Sequence, residues 1–517
     1  MTEQTSATIE QSGRDSRRFA TNVSSNVAVL VLNMVVGIWF TPYLIGVLGV
    51  AVFGVATLAL SISTYMGIFE SALYNATGRF LIIQLREKDF AKASRTFNTA
   101  LGLALTISVI MLPIMLLVSW FSPQLFNVPP GQEGPARWVF AAAVVSYMLI
   151  ITRSVFTAIP FANNRLDLQN GIIASNTLIR IVATVLLLSL ATVPSLTHVG
   201  AGLLFGTGAS LLLAIFVMRR LTPQLNINLR QFNRAELSLL FGMSGWVFIN
   251  QAGSILFLSV DQIVVNTVLG PTIQGLYASA LQWSILLRSL ARTFSTALAP
   301  IMIIQYAAGE NRQLGNTSVF GVKLLGLLMA LPVGLVAGLA RPLFRVWLGP
   351  EFEELTTLLI LLVLPLSVNL AVLPLYSLQV AHNRVKIPGI VSVALGILNL
   401  ILAVWWVDWG SYGLGVAVAS ALVLTLKNVV FTPLYGAHTQ GLPWYTYFPS
   451  LMISVAATIS VMAAGHWLGD IIGATSWVSL GLISILIGIA YVLAAYTLAL
   501  SSAERKSLLR FVTQIAR

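Results

Sequence analysis

Val47-Leu48-Gly49, followed by Gly54, returns as Val268-Leu269-Gly270 followed by Gly275, and Ala162-Asn163-Asn164-Arg165 returns as Ala381-His382-Asn383-Arg384. The offsets are 221 and 219 residues. A third pair, Gly200-Ala201-Gly202 and Gly413-Leu414-Gly415, lies 213 residues apart, so three short matches keep their order at nearly constant spacing. One match alone carries little in a chain this rich in Val, Leu and Gly. Together they predict two homologous halves in parallel order, the plan of many transporters, with a substrate site between the halves near the bilayer midplane.

Composition sets the class. Of 517 residues, 57% are hydrophobic and 9% charged, with mean hydropathy +0.88, against roughly 25% charged in soluble domains. This predicts an all-α polytopic membrane protein. Apolar runs of about 20 residues give fourteen spans, at 19–46, 51–78, 97–121, 137–160, 169–192, 199–218, 241–268, 276–301, 317–340, 354–380, 387–407, 412–436, 445–467 and 473–500. The net charge of +12 falls in alternate loops, so it reads as a topology signal and not as a nucleic-acid footprint. With the N-terminus inside, Arg17, Arg18, Arg79, Arg86, Arg165, Arg219, Arg220 and Arg384 lie on the inner side and only Arg137, Arg341 and Arg345 outside. That asymmetry sets both termini in the cytoplasm.

The expected organisation is a polar tail (1–18), a first six-span lobe (19–218), a basic linker (219–240), a second six-span lobe (241–436), two additional spans (437–500) and a tail (501–517). In the tail Leu508, Leu509, Phe511 and Val512 alternate with Arg505, Lys506 and Arg510, which suits the inner membrane surface. The run after residue 18 is too long for a signal-peptide core and lacks an A-x-A site, so it reads as a retained first helix.

The chemistry has to come from ionisable groups inside the spans, each costing about 2.5–3.5 kcal/mol on insertion scales. Ser284, Arg288, Arg292 and Thr296 recur every four residues and share one helix stripe. Counted from Leu276, Arg288 lies roughly 18 Å and Arg292 roughly 24 Å into the membrane. Two guanidiniums one turn apart repel unless an anion joins them, and their fork geometry suits phosphate oxygens. A structural ion-pair network is the alternative. Arg180 shares a stripe with Asn176 and Thr184 at mid-depth, while Arg153 and Lys427 lie nearer the inner ends, where snorkelling or a structural role competes with substrate contact. Lys323 reads as an interfacial anchor.

Two carboxylates stand within spans, Glu70 and Asp261, against five cations, so the intramembrane balance is positive by three. Such a cavity favours an anion over a cationic drug. Asp261, on a face with Asn250 and Ser254, suits a coupling Na+ or proton or else a structural partner for an Arg. The 221-residue offset sets Glu70 level with Arg292 of the other half, which makes it a candidate gating partner for the arginine pair. No G-x-x-x-x-G-K-[ST] is present, His198, His382, His438 and His466 lack metal-ligand spacing, and there is no cysteine. No cofactor or resident metal is expected.

Val268-Leu269-Gly270-x4-Gly275-Leu276-Tyr277 after Asp261, Asn399-Leu400-Ile401-Leu402 before Gly413-Leu414-Gly415-Val416-Ala417, and the A-x-N-R loops resemble the polysaccharide transporter branch of the superfamily that joins multidrug exporters to oligosaccharide-lipid flippases. The resemblance spans about 18–500. It implies two six-helix lobes in a V, alternating access, and translocation of undecaprenyl-pyrophosphate-linked oligosaccharide across the bacterial cytoplasmic membrane for O-antigen, capsule or exopolysaccharide. It also implies, as partners, membrane lipids and the polymerase and glycosyltransferases of that assembly. Related lipid II flippases carry essential arginines on the first, second and eighth helices, and Arg288 or Arg292 matches the last. The first two spans here have only Arg17, Arg18 and Arg79 at their ends, which sets lipid II itself apart. The reading is therefore a flippase and not an enzyme. A cation-coupled multidrug exporter is the alternative in the same class, and a membrane glycosyltransferase or polymerase lacks the large outer loop it needs.

Overall fold

The computed structural model describes residues 2–65, 67–234, 236–237, 253, 260–296, 298–502 and 504–505, and among these there is no strand. Helices α1 (Thr2–Leu48), α2 (Val50–Tyr65), α3 (Gly67–Arg86), α4 (Phe90–Trp120), α5 (Glu133–Ala162), α6 (Leu166–Leu190) and α7 (Leu196–Leu221) form the first half. The second half has α8 (Val260–Leu269), α9 (Pro271–Thr296), α10 (Ala299–Ala307), α11 (Asn311–Gly338), the short amphipathic α12 (Ala340–Trp347), α13 (Thr356–Val363), α14 (Leu373–Ala381), α15 (Lys386–Trp405) and α16 (Leu414–Gln440). Helices α17 (Phe448–Ile472) and α18 (Trp477–Ala499) are the two additions.

Ten of these helices are long and apolar enough to cross a membrane, and the pair Pro350–Asn369 and Leu373–Ala381, bent by 41°, makes one broken span. Val50–Ile62 and Val260–Leu269 are shorter apolar helices at the second and seventh spans. The eighth, α9, misses the hydropathy criterion because Gln282, Ser284, Arg288 and Arg292 interrupt it. The chain is thus a multi-pass membrane protein of about fourteen spans. Two expectations shift. The polar first 18 residues continue α1 as helix, and the thirteenth span runs on to Ile472, because its polar surface pair His466 and Asp470 still lies inside the helix and Gly473, at φ 63°, closes it. Most of 241–259, with Asn250 and Ser254, and the tail from 506 lie outside the described residues.

The repeat is visible as backbone geometry. Asn164 and Asn383 adopt φ 54° and 53°. Around them Asn163 N, Asn164 N and Arg165 N donate to Ile159, Phe161 and Pro160 carbonyls, and His382 N, Asn383 N and Arg384 N donate to Leu378, Val380 and Gln379 in the same pattern. Asn tolerates this left-handed turn better than other side chains. Gly49 and Gly270 take φ 81° and 90°. A fourth match escapes sequence comparison: Lys88 and Gly309 take φ 58° and 73°, and Asp89 N and Glu310 N each donate 3.0 Å to the carbonyl five residues back.

By packing, the chain divides into Met1–Ile255 with Gly270–Gly275, and Leu256–Leu269 with Leu276–Arg517. In the first unit the largely buried α5 packs against α3, α4 and α7. The motif glycines explain themselves there. A Cβ on Gly54 would overlap the Pro271 carbonyl oxygen, and one on Gly275 the Val50 carbonyl oxygen, a reciprocal contact at the 221-residue offset. Gly275→Ala is expected to cost about 1–3 kcal/mol or more, read as a lower melting temperature in detergent. Gly46→Ala, with open space around the added methyl, is the neutral control, and equal melting of both variants refutes the contact.

The described part of the linker is fastened and not loose. Asn98 on α4 donates to the Asn226 carbonyl (2.8 Å) and accepts from Asn228 N (2.8 Å). Thr99 Oγ1 accepts from Asn233 N (3.1 Å), and Thr96 Oγ1 donates to Glu236 (3.2 Å). In the second unit α11 carries the packing. Gly334 and Gly338, a small-xxx-small pair, lie against Thr458, Val461 and Met462 of α17 with no room for a Cβ. Lys323 on α11, expected as an interfacial anchor, is ion-paired with Glu504 beyond α18 at 2.8 Å. These contacts tie the two additional helices to the second half.

Candidate functional site

In the first unit Arg153 on α5 is buried and donates to Ser210 Oγ on α7 at 2.9 Å. Ser210 Oγ also accepts from Asn176 on α6 at 3.4 Å, so Arg153 and the Asn176 stripe meet at one hydroxyl. Arg153 is the cation whose field acts on Glu70 of α3. The sequence offset matched Glu70 with Arg292. The charge partner the structure gives it is Arg153 of its own unit. Glu70→Gln leaves that guanidinium buried without a counter-charge, and the expected loss is on the order of 1–3 kcal/mol, Glu70 being partly open. Thermal unfolding of Glu70→Gln beside Glu70→Gln/Arg153→Met checks it, since the double variant should regain most of the loss.

Arg180, one turn beyond Asn176 on α6, lies against Gly206 of α7, where a side chain would collide with it. Its Nε is buried without a hydrogen-bond partner among the described residues. Protein surrounds it, yet solvent still touches the side chain. That combination marks a group facing a crevice.

The second unit assembles more. Arg288 Nε donates to Ser284 Oγ at 3.2 Å, one turn back on α9, and Arg292 follows on the same stripe. Arg288 is half-buried and Arg292 open to solvent, although protein packs around both. Their charges oppose each other. At about 6 Å and an effective dielectric near 20 the repulsion is at most about 3 kcal/mol, less with Arg292 hydrated, and a shared anion relieves it.

Behind Arg288 lies a buried acidic cluster. Ser420 Oγ on α16 is 2.8 and 2.7 Å from the two Asp261 oxygens and 3.0 Å from Asn399 Oδ1 on α15. Tyr277 OH donates to Asp261 at 3.1 Å. Asn399 Nδ2 lies 3.5 Å from Asp261 Oδ1, so the one buried carboxylate gathers a hydroxyl, a phenol and an amide, all uncharged. Such a cluster suits a hard cation or a proton. The sequence reads Asp261 either as an arginine partner or as a cation site, and the Arg288 charge does reach this carboxylate. Tyr277 ends the Gly275-Leu276-Tyr277 motif, and Gly413, at φ 78°, packs on its ring.

Lys427 is buried with its Nζ 5.4 Å from the Tyr376 ring and opens a π-helical segment, Lys427–Phe431. Next to it Asn428 accepts from Tyr376 OH (2.9 Å) and donates to Asn369 Oδ1 (3.2 Å), at the break of the tenth span. Broken and π-helical backbone at membrane depth needs such partners.

No protein-family model matches the chain. The "Uncharacterized membrane protein EpsK" of Bacillus subtilis strain 168 is 31% identical over 494 residues, covering 95% of this chain and 98% of that one. Among solved structures, the lipid II flippase MurJ in an inward closed conformation superposes with TM-score 0.63 at 14% identity, over 93% of this chain and 98% of that one. An inward-facing multidrug resistance transporter of the MATE family gives 0.58 at 16%, over 83% and 98%. The chain belongs to the family of the membrane protein EpsK and shares its fold with the lipid II flippase and the multidrug transporter. In this membrane protein sequence reasoning singled out all seven ionisable groups named above. It missed Ser420, Asn428, Asn369 and Tyr376 and read Asn399 and Tyr277 only as motif letters.

Proposed function

We propose that this transporter flips an undecaprenyl-pyrophosphate-linked oligosaccharide from the inner to the outer leaflet of a bacterial cytoplasmic membrane by alternating access, with both termini inside. The observation that carries the reading is the Arg288/Arg292 pair: two guanidiniums one turn apart, crowded by protein and still reached by solvent, with mutual repulsion that a pyrophosphate relieves. Arg180 is the corresponding open cation of the first half. Arg153 and Lys427, buried among partners, hold their units together and add positive potential. The glycan travels in water and the isoprenoid stays in lipid, so binding of the headgroup alone fixes the boundary between them.

Coupling is assigned to Asp261 with Asn399 and Ser420, whose oxygens take Na+ or a proton. Glu70 sets the charge of the first unit through Arg153. The glycan's polymerase and glycosyltransferases are the proteins it serves. A similarity in fold to a multidrug transporter leaves drug export as the competing reading, which the excess of cations disfavours. Proteoliposomes holding a fluorescent polyprenyl-pyrophosphate disaccharide decide between them: protein-dependent movement between leaflets supports the flippase, while export of a lipophilic cation without lipid movement overturns it.

A further inference from the structure

A cavity of about 300 Å³ opens at one end of the second unit, where α10, α14 and α16 finish and α11 begins; it is lined by Tyr306, Asn311, Leu314, His382, Thr439 and Gln440. It is separate from the arginine pair, since α9, which carries the pair, contributes nothing to its lining. Thr439 is 7% exposed, and its Oγ1 and both amide atoms of Gln440 are buried without a hydrogen-bond partner among the described residues. Each such atom costs about 1–3 kcal/mol when left unsatisfied. Three of them in residues that line one cavity leave spare hydrogen-bonding capacity in its wall, within reach of an occupant after a small side-chain turn.

The repeat shows that the fold does not require them. Tyr306, Asn311, Leu314 and His382 correspond to Leu85, Phe90, Ala93 and Asn163 of the first half. There Ala93 is core, with Leu85 packed against that core, and Asn163 spends its amide on the Ile159 carbonyl and Thr222. His382 keeps the contact to the carbonyl four residues back, but the second half opens a corner that the first half fills with core residues.

The lining defines the ligand. It contains no carboxylate, ammonium or guanidinium, so the occupant is neutral and polar. An amide offers a donor and an acceptor side by side, which fits two neighbouring hydroxyls, and Thr439 adds a third hydrogen-bonding group. Tyr306 and His382 rings, 4.5 Å apart and tilted by 51°, present an apolar face for C–H groups. The volume is at the small end of ligand sites, enough for one sugar ring. We propose that this cavity is a carbohydrate subsite that takes a neutral pyranose of the glycan cargo; the identification of that pyranose with the cargo rests on the flippase reading above.

The test uses full-length protein in lipid nanodiscs, with methyl α-glucopyranoside and N-acetylglucosamine as sugar probes and farnesyl pyrophosphate as a sugar-free anion, read by saturation-transfer NMR. At least one sugar should give transfer to the wild type, falling about tenfold or more in Gln440→Leu and Thr439→Val. Farnesyl pyrophosphate binding should be unchanged in both and lost in Arg288→Ala/Arg292→Ala. Gln440→Leu removes an unsatisfied amide, so its melting temperature should not fall, which separates site loss from misfolding. Absence of sugar transfer to the wild type, or transfer kept within about twofold by Gln440→Leu, overturns the subsite. Sugar transfer that depends on Gln440 without any farnesyl pyrophosphate binding supports the subsite and counts against the flippase reading. Undiminished glycan export by Gln440→Leu in cells, with sugar transfer lost, overturns the link to the cargo and leaves a free-sugar site.

Discussion

Replacing Arg288 and Arg292 together by Ala is expected to stop glycan export while protein level and membrane insertion stay unchanged. Each charge-assisted contact to the pyrophosphate contributes about 1.5–3 kcal/mol, so both together amount to roughly 10²–10⁴ in headgroup affinity, with each single variant near the square root of that. Folding should not suffer. The double variant removes a like-charge repulsion, the side-chain hydrogen bond from Arg288 to Ser284 is local to a single helix, and Asp261, though it loses the Arg288 charge, keeps its bonds from Ser420, Tyr277 and Asn399. Arg288→Lys keeps the charge without the planar fork, so it should retain only part of the activity. Arg345→Ala is the control, because Arg345 is exposed and its partners are Glu353 and solvent. Export is read as surface polysaccharide in a strain whose own gene is deleted and complemented. Normal export by the double variant removes the pair from the binding site.

How much of this was legible in the sequence depends on how sharply a position restricts its residue. Gly275 recurs because a Cβ would enter the Val50 carbonyl, and Asn164 and Asn383 recur because both turns need a positive φ. Those positions tolerate few residues, so the repeat survived in letters. The Lys88 and Gly309 turns have the same geometry, yet one uses Lys and the other Gly, and no letter comparison pairs them. Tolerance hid the fourth match.

Charge behaves similarly. Arg288 and Asp261 stand out because an ion in an apolar run is costly. Ser420, Asn399 and Asn428 cost less and look like ordinary breaks in long apolar stretches. Ser420 and Asn399 meet Asp261 across α8, α15 and α16, and Asn428 meets Tyr376 of α14, which no linear spacing records. Glu70 shows a different limit. The offset sets it level with Arg292 of the other half, while α3 packing on α5 adds a charge no offset records, that of Arg153 in its own unit.

Replacing Asp261 by Asn is expected to abolish the dependence of transport on the sodium or proton gradient. The reason lies in the charge: Asp261 is a buried carboxylate whose hydrogen-bonding neighbours Ser420, Tyr277 and Asn399 are all uncharged, and a cation or a proton neutralises it. Asn keeps the volume and one carbonyl oxygen, removes the negative charge, and brings two hydrogens into the cluster, so the motive for binding a cation disappears. The same change strips Arg288 of the carboxylate whose field it feels. Arg288 then interacts with the pyrophosphate without competition, and headgroup binding should tighten while turnover slows, because release no longer draws on the return of Arg288 toward Asp261. The direction separates coupling from simple structural damage, which would weaken binding and turnover together. Ser420→Ala, which removes one oxygen and one hydrogen but no charge, should weaken the gradient dependence without eliminating it. Flip rates in proteoliposomes under imposed sodium or proton gradients decide the point, for a wild type indifferent to both gradients leaves Asp261 a structural residue.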